Sequence, residues 1–221
     1  MNDVVRIIPI GGLGEIGKNM TAVEYRGKLV VVDCGLAFPR DEMLGIDLVL
    51  PDVSYLLERR ADVLGFVITH GHEDHFGALP FILKQLNVPV YGSRLTLAFA
   101  KSKLDEHGLI KTAAVNEVVE GRDLELGPFR ISFVAVSHSV PDALAIVVHT
   151  EHGAIVFTGD YKFDHTPIDG RVTDVNTLAR LGQTGVLALL ADSTNAEVPG
   201  STASESVVGQ AFHHIFTESE G

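Results

Sequence analysis

A single cysteine, Cys34, occurs in the 221 residues, so no disulfide can close within the chain and no CxxC thiolate pair is there to hold a metal. Its neighbours Asp33 and Gly35, at the end of an apolar run, suit a small buried hydrophobe rather than a nucleophile. No apolar run approaches the roughly 18 residues of a membrane span. The first residues, Met1-Asn2-Asp3-Val4-Val5-Arg6, lack a basic segment leading into a cleavable apolar one. These absences lead us to expect a cytoplasmic protein with no membrane partner. Basic residues are scarce as well, 17 Lys and Arg against 29 Asp and Glu, for a formal net charge of −12. A nucleic-acid binder usually carries the opposite balance. No internal repeat or low-complexity linker interrupts the chain.

What is present is ordinary for a globular α/β protein: 46% hydrophobic and 21% charged residues, in a chain long enough to bury a core. Hydrophobic patterning predicts strands over 4–10, 20–25, 28–33, 64–69, 88–91, 129–137, 143–150, 154–158 and 186–191. It predicts helices over 77–86 and 95–107, and an amphipathic helix from about Ser204 onward. Early hairpins followed by strands with intervening helices suit an α/β (α+β) sandwich.

Residues His70-Gly71-His72-Glu73-Asp74-His75 end the apolar stretch from Val63 to Thr69. His70 and His72, two apart in an extended chain, point to the same side and can share one metal. Asp74 and His75 arrive after the turn and are better placed for a second, so the spacing favours two ions over one. The competing reading is a solvated His-rich loop. The same arrangement of an apolar strand with a polar group at its end recurs at Asp33, His138, Asp160 and Asp192. Five strands thus deliver polar groups to what could be one edge. The segment Gly11-Gly12-Leu13-Gly14-Glu15-Ile16-Gly17 lacks the G-x-G-x-x-G order and no helix follows, so it is assigned to a tight loop bordering the metal site.

With these residues the sequence resembles the metallo-β-lactamase superfamily and, within it, the β-CASP nucleases of the ribonuclease J family. His70, His72, Asp74 and His75 match the main motif, and His138 and Asp160 the next two. Three stretches carry the narrower likeness: Gly11 to Met20, Gly159 to Asp164, and Asp192 to Glu197 leading to Pro199 to Glu205. The resemblance implies an αββα sandwich, with residues 1–198 the N-terminal portion of the metallo-β-lactamase domain and 199–221 the start of a β-CASP insertion that the chain does not complete.

It also implies that His70, His72 and His138 hold one zinc, Asp74 and His75 the other, and Asp160 bridges them. Manganese is compatible with the same ligands. Asp74 and Asp160 would orient the attacking water, and Asp192 would support a catalytic histidine later in the chain. His213 and His214 match no family motif and are not expected to be ligands. The implied substrate is single-stranded RNA with a 5′-monophosphate, cut from its 5′ end and internally in RNA processing and decay. The implied assembly is a dimer or tetramer in full-length members, and the 221-residue chain alone is expected to hydrolyse RNA poorly.

Two divalent ions would offset four units of the negative charge and reverse the local sign of the pocket. Lys18, Arg40, Lys84, Arg94, Lys101, Lys103, Lys111, Lys162 and Arg171 are the basic candidates for phosphate contact. Two other readings stay open: a hydrolase of thioesters, lactones or β-lactams on the same scaffold, and a non-catalytic metal-binding fragment.

Overall fold

The computed structural model describes residues 3–219. One sheet runs in the order of its strands in the chain: β1 (Arg6–Gly11), β2 (Met20–Tyr25), β3 (Lys28–Val32), β4 (Val63–Val67), β5 (Val90–Gly92) and β6 (Val115–Glu117). The first three strands are antiparallel, and β3 through β6 are parallel. Parallel neighbours require crossovers, and the connecting segments carry α1 (Ser54–Glu58), α2 (Glu73–Phe76), α3 (Leu79–Ile82) and α4 (Arg94–Glu106).

The second sheet contains β7 (Leu124–Leu126), β8 (Phe129–Ala135), β9 (Leu144–Thr150) and β10 (Gly153–Phe157), all antiparallel. After α5 (Val175–Thr184), β11 (Val186–Leu190) joins β10 in parallel, and α6 (Glu205–Glu218) follows.

Alternation along the strands assigns the layers. Val30 and Val32 of β3 meet Ile146 and Val148 of β9 and Ile155 and Phe157 of β10 between the sheets. Leu29 and Val31 face the other way, onto Leu56, Leu79, Leu97 and Leu104 of the helices. On the far side of the second sheet, Ala145, Val147, Ala154 and Val156 carry Leu178 and Leu181 of α5. Helix, sheet, sheet, helix is therefore the order of layers, as expected, and each large apolar side chain buried in them contributes about 1.5–3 kcal/mol. β11 is the exception: it is an edge strand, and its Leu187 and Leu189 remain exposed.

Most predicted strands fall within two residues of those observed. The helix predicted over 77–86 is observed only as α3, with Pro80 at its start, where it has no N–H to continue a ladder from α2; α2 itself, at Glu73–Phe76, lay before the predicted range. β6 and β7, of three residues each, are too short for a periodic signal. α1 and α5 also lay outside the predicted elements. α5 had a readable start, since the Asp174 carboxylate accepts from the Thr177 amide at 2.9 Å as an N-cap, but its core-facing apolar residues are few.

Candidate metal centre

β3, β4, β8, β10 and β11 all end at the same edge of the sandwich, so their carboxyl-end residues converge there. From β4 come His70, fully buried, then His72 at the N-cap of α2, with Asp74 and His75 in its single turn. His138 follows β8, Asp160 follows β10 and Asp192 follows β11.

His70, His72, His138 and Asp160 each offer a ligand atom, and those atoms all lie within 4.8 Å of one another. His72 Nδ1 stands 3.2 Å from both His70 Nε2 and His138 Nε2. Asp160 Oδ2 is 3.8 Å from the former and 3.6 Å from the latter. A tetrahedral ion bound at about 2.0–2.1 Å holds its ligand nitrogens roughly 3.3 Å apart, so the three rings are spaced as such an ion requires. His75 Nε2 lies 3.3 Å from the other oxygen of Asp160 and 3.7 Å from Asp74 Oδ2. Asp160 thus faces two neighbouring positions, one rich in imidazole and one in carboxylate.

Protonation at His70, His138 and Asp160 fits ligation. Burial, reinforced by the charge of His75, pushes His70 down to about 2, so its ring is neutral. Its Nδ1 lies 3.0 Å from Thr69 Oγ1, which leaves Nε2 with a lone pair for the centre. Burial likewise lowers His138. Burial opposes charge on Asp160 too, but the hydrogen bond and charge of His75 prevail and bring its carboxyl down to about 2. For His75, burial is outweighed by Asp33 and Asp160, and its pKa is raised to about 10.

Several positioning groups were not legible as such. Asp33, a strand-end carboxylate in the sequence, is buried with φ 62°, in the left-handed region. It accepts from the Thr69 amide at 2.8 Å and from His75 Nδ1 at 2.8 Å, which turns His75 Nε2 toward the centre. Asn19 Nδ2 donates to the Asp74 carbonyl at 3.1 Å and reaches its Oδ2 at 3.3 Å. Buried Thr173 clamps two ligand loops, accepting from Ser137 N and donating to the carbonyl of Lys162. Only the fold reveals Asn19 and Thr173 as partners. Asp33→Asn is expected to lower metal affinity by about 10–100-fold with an unchanged far-UV spectrum. Competition against a chromogenic chelator measures this, and wild-type affinity would remove Asp33 from the support of His75.

Asp192 lines the same cleft as Asp74, His75 and Asp160, with its own carboxylate accepting from the Thr194 amide at 2.7 Å. His213 and His214 lie exposed on α6, His214 beside Glu218. The Gly-rich loop does border the centre, as expected. Of the basic candidates, Lys18, Lys103, Lys162 and Arg171 are each engaged by carboxylates, namely Glu15, Glu73, Glu205 and the pair Asp142 and Glu120. Among the described residues, no helix is long and apolar enough to cross a membrane.

The αββα layers and a His/Asp centre at one strand edge define a class, and the sequence model of the metallo-beta-lactamase superfamily matches residues 13–201. The chain belongs to that superfamily. Within it, the likeness to ribonuclease J read from the three stretches is borne out. The chain is 49% identical over 211 residues to ribonuclease J 1 of Streptococcus pyogenes serotype M3, covering 96% of this chain and 38% of that protein. It is 48% identical over 218 residues to ribonuclease J of Mycobacterium tuberculosis, covering 98% and 39%, and 44% identical over 218 residues to that of Helicobacter pylori, covering 98% and 32%. The chain therefore spans a third to two fifths of the length of these relatives.

Among solved structures, a protein of unknown function from Enterococcus faecalis V583 superposes with a TM-score of 0.71 at 17% identity, covering 97% of this chain and 57% of that one. Zn(2+)-bound PqqB from Methylobacterium extorquens gives 0.52 at 13%, covering 84% and 63%. At such identities these two speak to the fold alone.

Proposed function

We propose that the chain carries the metal centre of a two-zinc ribonuclease of the ribonuclease J type, which hydrolyses phosphodiester bonds of single-stranded RNA. The observation that carries this reading is the 44–49% identity to ribonucleases J along 96–98% of the chain. The converging donors give it a chemistry. His70, His72 and His138 would hold one ion and Asp74 with His75 the other, Asp160 serving both; manganese suits the same donors. Divalent ions bound there would supply an activated water for attack on phosphorus and would stabilise charge on the phosphate. Asp74 and Asp160 orient the nucleophile. Asp192, in the same cleft, is read from the likeness as the support of a catalytic histidine in a β-CASP domain, of which residues 199–221 would be the start. Preference for a 5′-monophosphate, exonuclease and endonuclease modes, and dimers or tetramers are read from the same likeness.

Metal uptake should depend on pH. Below about 10 the metal-free His75 carries a proton that ligation must expel, so apparent affinity rises with pH, by up to about tenfold per unit for that one proton. Calorimetric titration with zinc from about pH 6 to about pH 8, in buffers of different ionisation enthalpy, reads both the affinity and the proton released. Flat affinity with no proton release would mean that His75 is not a ligand.

The reading is tested by incubating the metal-loaded chain with 5′-monophosphorylated, 3′-labelled single-stranded RNA beside an Asp74→Ala control. Slow, metal-dependent shortening that the control lacks is expected. An intact RNA beside efficient hydrolysis of a thioester or β-lactam would reverse the assignment.

A further inference from the structure

The cleft beside the metal centre, about 540 Å³, is lined by two unlike segments among others, the Gly11–Gly17 loop and the stretch Asp192 to Asn195. The loop is held in place from within. Glu15 accepts from the Gly12 amide at 3.3 Å and pairs with Lys18 Nζ at 3.1 Å, and the Lys18 amide donates to the Leu36 carbonyl at 2.9 Å. Gly17, at φ 90°, lies so close to Ala37 that a Cβ would come within 2.8 Å of its side chain.

These contacts spend the only two charges of residues 11–18 on each other and set a carboxylate against the Gly12 amide. A loop arranged in this way is a poor cradle for phosphate. What it presents to the cleft is Leu13, 67% exposed, and Ile16, 85% exposed. A scattered surface leucine needs no explanation. Two branched aliphatic side chains, on a fastened loop lining the same cleft as Asp74, His75 and Asp160, call for an apolar surface to meet. A phosphodiester set at the metal donors brings that surface with it: the uncharged face of the neighbouring nucleobase. The cleft falls within the roughly 300–1,000 Å³ of pockets that take a single small ligand. Its lining also offers the neutral polar residues Ser193, Thr194 and Asn195, suited to ribose hydroxyls and ring edges.

We propose that Leu13 and Ile16 form the apolar wall of a nucleoside subsite, against which the base next to the scissile phosphate rests. This rests on the ribonuclease reading. The contact is with a ring face, so it selects nucleic acid over acyl substrates without selecting a sequence.

The test is binding of a short single-stranded RNA to the zinc-loaded chain, read by fluorescence anisotropy. It compares wild type with a Leu13→Ser/Ile16→Ser double variant, and intact RNA with a set carrying one abasic residue at successive positions. The double variant is expected to bind intact RNA about tenfold more weakly, with zinc affinity and thermal midpoint unchanged. On wild type, one abasic position should cost the same factor, and the variant should no longer sense it. The factor should persist at raised salt, as an apolar contact does. Equal binding by the variant, or indifference of wild type to every abasic position, overturns the subsite and leaves the ribonuclease reading standing. Should the variant be destabilised, the abasic series on wild type decides by itself. Failure of the zinc-loaded wild type to bind any RNA overturns both.

Discussion

Asp160→Ala is expected to lower zinc affinity by more than about 100-fold, since removing even an outer partner of a ligand costs 10–100-fold, and to reduce RNA cleavage to background. Asp160 faces both positions, through Oδ2 toward His70 and His138 and through Oδ1 toward His75. Truncating it leaves the imidazole-rich position with three imidazoles and no carboxylate in a half-buried setting, where bound cations dominate the local field. Thermal melts with and without zinc give a second readout. Wild type should gain stability from the ion by mass action and Asp160→Ala should not. Zinc affinity equal to wild type would remove Asp160 from the proposed ligand set and overturn the proposed sharing of Asp160 between two ions.

Gly35→Ala is expected to destabilise the chain by at least about 3 kcal/mol, beyond the usual cost of overpacking, and to lower the thermal midpoint by roughly 6–12 °C for a domain of this size. A Cβ at Gly35 would sit 1.6 Å from the carbonyl oxygen of Asp74. That carbonyl cannot swing aside, because it accepts from the Asn19 amide at 3.0 Å. The flanking backbone is tied as well: Cys34 N donates to His75 O, Leu36 N to Glu73 O and Gly35 N to Asn19 O. These bonds hold the segment after β3 against α2, so the substitution must move Asp74 and His75, and metal binding should fall with stability. Gly14→Ala is the contrasting control. An added Cβ there meets nothing within 4 Å, and only its φ of 70° is unfavourable, for a cost of about 1–2 kcal/mol. Similar melting for the two variants would mean that the Gly35 segment relaxes at little cost.

The sequence by itself determined the candidate ligand types and the elements that carry them. His70, His72, Asp74 and His75 are legible because they are neighbours at the end of one apolar strand, where local spacing alone brings them together. His138, Asp160 and Asp192 are legible more weakly, each as a polar group closing its own apolar run, and the αββα layers follow from alternation within strands plus the family likeness. That these strand ends meet at one edge is a consequence of strand direction, which no single run encodes; β8, β10 and β11 had to be ordered in a sheet before His138 and Asp160 could face His72.

Only the tertiary structure decided how the candidate ligands are held. Asp33 orients His75 across 42 residues of sequence, Asn19 reaches Asp74 across 55, and Thr173 joins the loops of His138 and Asp160. Such pairings leave no periodic trace, because a hydrogen bond between distant segments depends on their meeting in space and not on spacing along the chain. The same holds for Gly35, whose necessity comes from the carbonyl of Asp74 lying where a side chain would begin.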